Sequence, residues 1–300
     1  TNFATVAAVL YAGGSVAYLD MDEATFAPTL DMVRERLEGP SADEIAGVAW
    51  VHIGGVISPE FPAVVEYCRG MGRFVIEDAA HAHGSALGGV RSGALADGGA
   101  FSFFPTKVMT TFEGGMITTD SADEAELARS FRNQGKRGAK FGGLHHDLGN
   151  SHRMLEPSAV LGQIFLAKLD DMLDRRDRAY RAMTHVLSAR GVSFVSADHM
   201  DRASHYKLIV RLPDGVAADD AKATLREQGV IAGGGVYEIP CHLQPVFEGL
   251  VEIDRPLPVA ERWCPAHICP PLTSGVTEAD ATRVGEAVAD CLAGAEAATA

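Results

Sequence analysis

Phe101-Ser-Phe-Phe-Pro-Thr-Lys-Val-Met-Thr-Thr-Phe-Glu-Gly-Gly-Met-Ile-Thr-Thr119 is the stretch around which the chain is organised. It predicts a short apolar strand from Phe101 to Phe104, a turn, and a second strand from Met116 to Thr119. Pro105 ends the first strand because proline cannot donate to a ladder and fixes its own φ. Gly114-Gly115 opens the second. Lys107 stands in the turn among Ser102, Thr106, Thr110 and Thr111, with Glu113 the one nearby carboxylate in sequence. Two readings are open. Lys107 is a solvated loop lysine, or it is a partly desolvated amine of the kind that attacks carbonyl groups to form Schiff bases.

Upstream, three apolar runs read as strands: Ser15 to Leu19, Ile45 to Ile53 and Phe74 to Ile76. Between them lie two helical patterns. Thr29 to Glu38 carries Leu30, Val33 and Leu37 on one face, and Pro62 to Arg69 has its proline in the first turn. A further helix, Thr5 to Ala12, ends at Gly13-Gly14. The order βαβαβ predicts an α/β fold with a parallel sheet covered by helices. Ligands gather at the carboxyl ends of such strands. Asp78 lies there, where a buried carboxylate needs a cation or several donors; the alternative is the N-cap of a following helix. His81 and His83 are two residues apart, which suits hydrogen-bonded structural groups or, less well, a metal pair. Leu87 to Gly93 reads as a hairpin.

Downstream, Glu124 to Asn133 predicts a surface helix. Residues 134–148 form a long polar loop holding Lys136, Arg137, Lys140, His145, His146 and Asp147. A loop of this length is functional or flexible. Its cations face solvent or an anionic ligand, and its His-His-Asp run is a weak metal candidate without companions at ligand spacing. Pro157 to Ala189 predicts one long helix with Val160, Leu161, Ile164, Phe165, Leu169, Met172 and Leu173 on an apolar face. The pattern changes after it. The expected organisation is a large domain over 1–156, a connecting helix over 157–190 and a small α+β domain over 191–300. That last part holds a strand from His205 to Leu212, a helix from Ala218 to Gln228, and a helix from Glu278 to Ala293 capped by Thr277.

Composition limits the partners. A formal net charge of −14 argues against nucleic acid, which needs a basic face. Residues 3–19 carry no charge but fall short of a membrane span and include Gly13-Gly14. The five cysteines are an odd, scattered set that suits a reducing, cytoplasmic setting. Asp20-Met-Asp22, after an apolar run, is open to two readings. It is a strand end with a helix-initiating aspartate, or the metal-binding pair of a nucleotide-sugar glycosyltransferase.

Val75-Ile-Glu-Asp-Ala-Ala-His-Ala-His-Gly84, then Phe101-Ser-Phe-Phe-Pro-Thr-Lys107 with Glu113-Gly-Gly115, resembles the DegT–DnrJ–StrS family of sugar aminotransferases. These use pyridoxal 5'-phosphate (PLP) on the fold type I, aspartate-aminotransferase scaffold, with a three-layer α/β/α large domain. The likeness continues through Arg132-Asn-Gln-Gly135, Leu148-Gly149, Arg153-Met154 and the run from Tyr237 to Phe247. The resemblance implies that Lys107 holds PLP as a Schiff base and moves the substrate proton. It also implies that Asp78 pairs with the pyridinium nitrogen, that His81 lies near the phenolic oxygen, and that Ser102 binds the phosphate. It implies a homodimer with a shared active site, in which the second subunit lends an asparagine to the phosphate. That position here is Ser151, with Asn150 one residue earlier. Phe3 lies near the family's aromatic ring against the cofactor.

By the same resemblance, the amino group passes from glutamate or glutamine to a keto sugar, nucleotide-linked, in a ping-pong cycle. The cations of the 136–153 loop are candidates to meet its diphosphate. Family members carry a phosphate-cradling turn upstream of the position where this chain begins. The sequence therefore reads as an N-terminally truncated form, and a catalytically incomplete fragment is an alternative. The amino-hydroxybenzoate synthases share the cofactor residues and are another alternative. The related dehydrating branch lacks the lysine, so Lys107 sets this chain apart from it.

Overall fold

The computed structural model describes residues 1–138, 143–233 and 235–299, with side chains through residue 295. Helix α1 (Phe3–Tyr11) begins at Asn2, whose Oδ1 accepts from Ala4 N–H at 2.9 Å. Helix α2 (Leu30–Leu37) is capped in the same way by Thr29, and Val33 and Leu37 face inward as the pattern requires. Strand β1 (Gly47–Val51), helix α3 (Phe61–Gly70) and strand β2 (Phe74–Asp78) follow. A two-residue hairpin, β3 (Ala86–Leu87) and β4 (Val90–Arg91), leads to β5 (Gly98–Ser102) and β6 (Gly115–Thr119).

The main sheet has the order β1-β2-β5-β6. The first three strands are parallel and β6 runs antiparallel on the edge. Register places Asp78 beside Ala100, so the ends of β2 and β5 come together. Trp50, Phe61, Val64 and Val75 form the core beneath α2 and α3.

Helix α4 (Ala122–Arg132) is capped by Ser121. The predicted helix over 157–189 is two helices, α5 (Glu156–Ala167) and α6 (Leu169–Ala189), which meet at Lys168. The apolar face divides with them. Val160 and Ile164 on α5 are exposed, whereas Leu169 and Leu173 on α6 are buried. Beyond α6 come β7 (Val210–Arg211), α7 (Ala218–Glu227), α8 (Pro258–Trp263), β8 (His267–Ile268) and α9 (Glu278–Thr299). Helix α6 lies along α9, and Met183, Leu187, Leu208, Val210, Leu225 and Val288 are buried between these elements.

Two predicted strands are not formed as expected. Ser15 to Leu19 finds no ladder partner; Val16 and Tyr18 pack instead against the cluster of Val6, Cys241, Phe247 and Val251. Of His205 to Leu212, Val210 and Arg211 pair with β8, because His205 takes φ +45° and breaks the extended run. Among the described residues no helix is long and apolar enough to cross a membrane. All five cysteines are unpaired.

Candidate active site

The ends of β2 and β5, the turn after β5, the first turn of α1 and the segment 204–207 converge. Asp78 closes β2. Its Oδ2 accepts the Thr5 hydroxyl at 2.6 Å and its Oδ1 accepts Ala80 N–H at 3.1 Å. No helix follows, so the N-cap alternative is not realised. The donors come from α1 and from the local turn, and together they fix the orientation of the carboxylate.

Lys107 is half-buried in the turn between β5 and β6, its N–H held by Phe104 O at 3.0 Å. Its ammonium lies 4.8 Å from the centre of the Tyr206 ring. Burial pushes its pKa below that of an ordinary lysine; Asp78 opposes the shift and Lys207 adds to it. The structure thus favours the desolvated reading of this amine over the solvated one.

His81 is buried between the two halves. Its Nδ1 faces Gly54 N–H at 3.3 Å and therefore accepts, which leaves the proton on Nε2, opposite the Tyr237 hydroxyl at 3.3 Å. Its ring stacks on Tyr206 at 4.2 Å. Burial, then the charge of Lys107, holds its pKa well below the ordinary imidazole value, so it stays neutral. His83 lies against Phe101 and Phe103, and burial pushes its pKa down to about 4. Ser102 Oγ accepts a long bond from Phe104 N–H at 3.4 Å, which leaves its own proton to donate.

Tyr206 is fixed by a buried hydrogen-bond node. Ser204 Oγ donates to His81 O at 2.6 Å, Ser204 N–H donates to Ser85 Oγ at 3.0 Å, and Ser85 Oγ donates to Gly55 O at 2.7 Å. Gly55 has φ +90°, and a Cβ there would meet His81 O at 2.7 Å and run into Ser204. Beside this node, Arg176 donates to His205 O at 2.9 Å and so supports the kink that turns Tyr206 toward the lysine. Tyr206 Oη and Thr106 Oγ1 are 3.1 Å apart.

Asp78, His81 and Lys107 are thus brought to one place, with Ser102 at the adjoining end of β5. Asn150 and Ser151 are not. Both are exposed beside the end of α4, where Ser151 bridges to Asn133 and Asn150 N–H donates to Phe131 O. Phe3 stacks one ring face on Phe247 at 5.6 Å and is otherwise exposed. In the loop, Arg137 forms a two-point ion pair with Asp147 at 2.7 and 2.6 Å, and Asp147 also accepts from Ser130. That carboxylate is therefore engaged by neighbouring donors, and the Arg137 charge is already matched. Lys140 lies outside the described residues.

Asp20 and Asp22 are engaged elsewhere. Asp20 accepts from Val259 and Ala260 N–H at the start of α8, and Asp22 accepts from Ala24 and Thr25 within its own turn. These carboxylates are helix- and turn-capping groups, which overturns the glycosyltransferase alternative. Among the described residues no group of three or more His, Cys, Asp and Glu is placed to hold a metal.

Sequence reasoning missed Thr5, Tyr206 and Lys207 as site residues. Thr5 was hidden in an apolar helix. Tyr206 and Lys207 were read as alternating positions of a strand, and the break at His205 has no marker such as glycine.

The donor set fits PLP. A carboxylate oriented by two donors, a desolvated amine, a neutral buried imidazole and a free hydroxyl proton match a ring nitrogen, an aldehyde carbon, a phenolic oxygen and a phosphate.

The DegT/DnrJ/EryC1/StrS aminotransferase family matches residues 1–289. The chain is 30% identical over 294 residues to a pleiotropic regulatory protein of Geobacillus stearothermophilus, covering 97% of this chain and 76% of that one. It is 32% identical over 292 residues to the GDP-perosamine synthase of Caulobacter vibrioides, covering 95% and 75%. Among solved structures, DesI with its TDP-sugar product superposes with a TM-score of 0.85 at 27% identity, covering 100% of this chain and 74% of that one. The mixed α/β architecture, with its mainly parallel sheet, is that of the PLP-dependent aminotransferases of this family.

Proposed function

The chain belongs to the DegT/DnrJ/EryC1/StrS aminotransferase family and is an aminotransferase; we propose that it moves an amino group from glutamate or glutamine to a nucleotide-linked keto sugar, with PLP as the carrier. The observation that carries this reading is the Lys107 amine. It is withdrawn from water, faces an aromatic ring rather than a carboxylate, and shares its site with the doubly hydrogen-bonded Asp78.

Asp78 would hold the ring nitrogen of the cofactor, Ser102 the phosphate, and His81 the side of the ring that carries the phenolic oxygen. When bound, PLP supplies an electron sink for the carbon whose amino group is transferred. The protein's part is proton traffic and orientation. Lys107 Nζ, neutral more readily than an ordinary lysine, takes the proton from the substrate carbon and returns it. Asp78, oriented by Thr5 and Ala80, would keep a proton on the ring nitrogen. His81, neutral and fixed by Gly54 and Tyr237, adds no charge that would compete.

We further propose a cytoplasmic homodimer. Phe112, Leu148, Leu155 and Val160 are exposed at 70%, 97%, 71% and 55%, an apolar surface that a second copy would cover. Asn150 and Ser151 adjoin Leu148, so a second copy seated there would bring them toward its neighbour's site. Light scattering on the purified protein tests this: a monomer at micromolar concentration rules it out.

The central reading is tested by adding PLP to the purified protein. A near-visible absorption band is expected, and borohydride should attach the cofactor to Lys107. Lys107→Ala should show neither. A wild-type protein without the band would sink the reading.

A further inference from the structure

The site holds a second amine. Lys207 Nζ lies 5.6 Å from the centre of the Tyr206 ring, the same ring that Lys107 faces at 4.8 Å. The Lys207 backbone is pinned by its N–H to Gly54 O at 3.2 Å, and the N–H of the same glycine fixes His81. Its side chain is half-buried and has one polar contact, a long one to Gly233 O at 3.4 Å. Among the described residues no carboxylate forms an ion pair with it. Lys222, on α7, behaves otherwise and pairs with both Glu238 and Asp219. A half-buried ammonium without a counter-ion is costly in the empty site, and the cost is relieved when an anion arrives.

Resting on the aminotransferase reading above, we propose that Lys207 binds the carboxylate of the amino donor. Two features of geometry select that anion. Lys207 and Lys107 share one aromatic ring, so an anion held by Lys207 lies close to the nitrogen being transferred. The α-carboxylate of an amino acid is attached to the carbon that bears that nitrogen. The phosphates of a nucleotide sugar are separated from the reacting carbon by the sugar ring. The mutual repulsion of Lys107 and Lys207 has the sign expected of two cations that share one cavity. A carboxylate between them would quench it.

The donor half-reaction tests this without any sugar. PLP-loaded protein is mixed with L-glutamate or L-glutamine alone, and loss of the near-visible band is followed. Lys207→Met should raise the glutamate concentration for half-maximal rate at least tenfold, with a smaller change in the limiting rate. Lys207→Arg should restore most of the difference. Glutarate, an inert dicarboxylate, should slow the wild type and have little effect on Lys207→Met. Borohydride fixation of PLP on Lys107 should survive in all three proteins, which separates this proposal from the reading beneath it and confirms a folded site. The proposal is overturned if Lys207→Met leaves the glutamate dependence unchanged, or if it lowers the limiting rate alone. It is also overturned if the variant instead loses binding of UDP, GDP or dTDP measured by calorimetry. A wild type that fixes PLP but ignores both donors overturns it as well.

Discussion

Thr5 donates its hydroxyl to Asp78 Oδ2 at 2.6 Å, joining the first turn of α1 to the end of β2 across 73 residues of sequence. The bond gives an apolar helix a polar task. It fixes the orientation of the Asp78 carboxylate in the site. Thr5→Val keeps the shape and removes the donor. A hydrogen bond to a charged group contributes about 1.5–3 kcal/mol, so PLP should be held roughly tenfold more weakly or worse. Thr5→Ser should retain the cofactor. Absorbance titration with PLP measures both, and an unchanged affinity in Thr5→Val would refute the assignment.

Tyr206 tests the seat of the lysine. Tyr206→Phe keeps the ring beneath Lys107 and loses the contact with Thr106, so cofactor capture should slow only two- to threefold, on the order of the lower end of a neutral hydrogen bond. Tyr206→Leu removes the ring that seats the Lys107 side chain and should slow capture more than Tyr206→Phe does, through lost positioning of the amine. Capture needs the neutral amine. The Lys107 pKa is lowered, so the capture rate in wild type should rise with pH and level off below the ordinary lysine range. Stopped-flow absorbance gives these rates; a midpoint at or above that of free lysine contradicts the burial argument.

The buried carboxylate next to Asp78 has a structural task. Glu77 is fully buried and accepts from Gly93, Leu95 and Ala96 N–H at 2.8, 2.8 and 3.1 Å, with His52 Nε2 at 3.0 Å. Burial raises its pKa, and the bonds from His52 and the backbone outweigh that and lower it. Glu77→Gln would point an amide N–H₂ at donors. A loss of roughly 3 kcal/mol in unfolding free energy is expected, as for other broken buried pairs. Urea unfolding measures it, and a change within half a kilocalorie would show the cage to be dispensable.

Acid stability should depend on Asp177. Its carboxyl is held down to about 2 by hydrogen bonds from His205 and Arg181, against burial. A carboxyl with a lowered folded-state pKa adds stability above its unfolded pKa near 4 and loses it as pH falls toward 2. Asp177→Asn should therefore lower the melting temperature at pH 7, by an amount worth about 0.5–1 kcal/mol for a partly exposed pair. The gap between variant and wild type should close between pH 4 and pH 2. A gap that persists unchanged at pH 2 would show that charge is not its source.

The sequence carried the site's polar chemistry and much of its scaffold. Asp78 and Lys107 stand out by residue type as a strand-end carboxylate and a turn lysine, whereas their roles, and that of His81, come from the family resemblance. β1, β2, α2, α3 and α7 were legible because their apolar periods match single elements. The misses share one cause, which is contact across long sequence separations. Ser15 to Leu19 looks like a strand, yet its apolar residues bury against Cys241 and Phe247. The helix over 157–189 looks continuous, and Lys168 has no feature that announces the break. His205 adopts a left-handed conformation because Arg176, Tyr180 and Asp177 surround it, and none of these is its neighbour in sequence.

The stack of Phe3 on Phe247 has a consequence for biosynthesis. Helix α1 is synthesised long before its seat, which is built from Cys241, Phe247 and Val251. Tyr206 and Tyr237 are similarly late partners for Thr106 and His81. Contacts so far apart form slowly, because loop closure comes before any gain from packing. The nascent chain must therefore carry Lys107 without its aromatic wall until Tyr206 has been added. Acquisition of cofactor is then coupled to the docking of α1 on the segment 241–251.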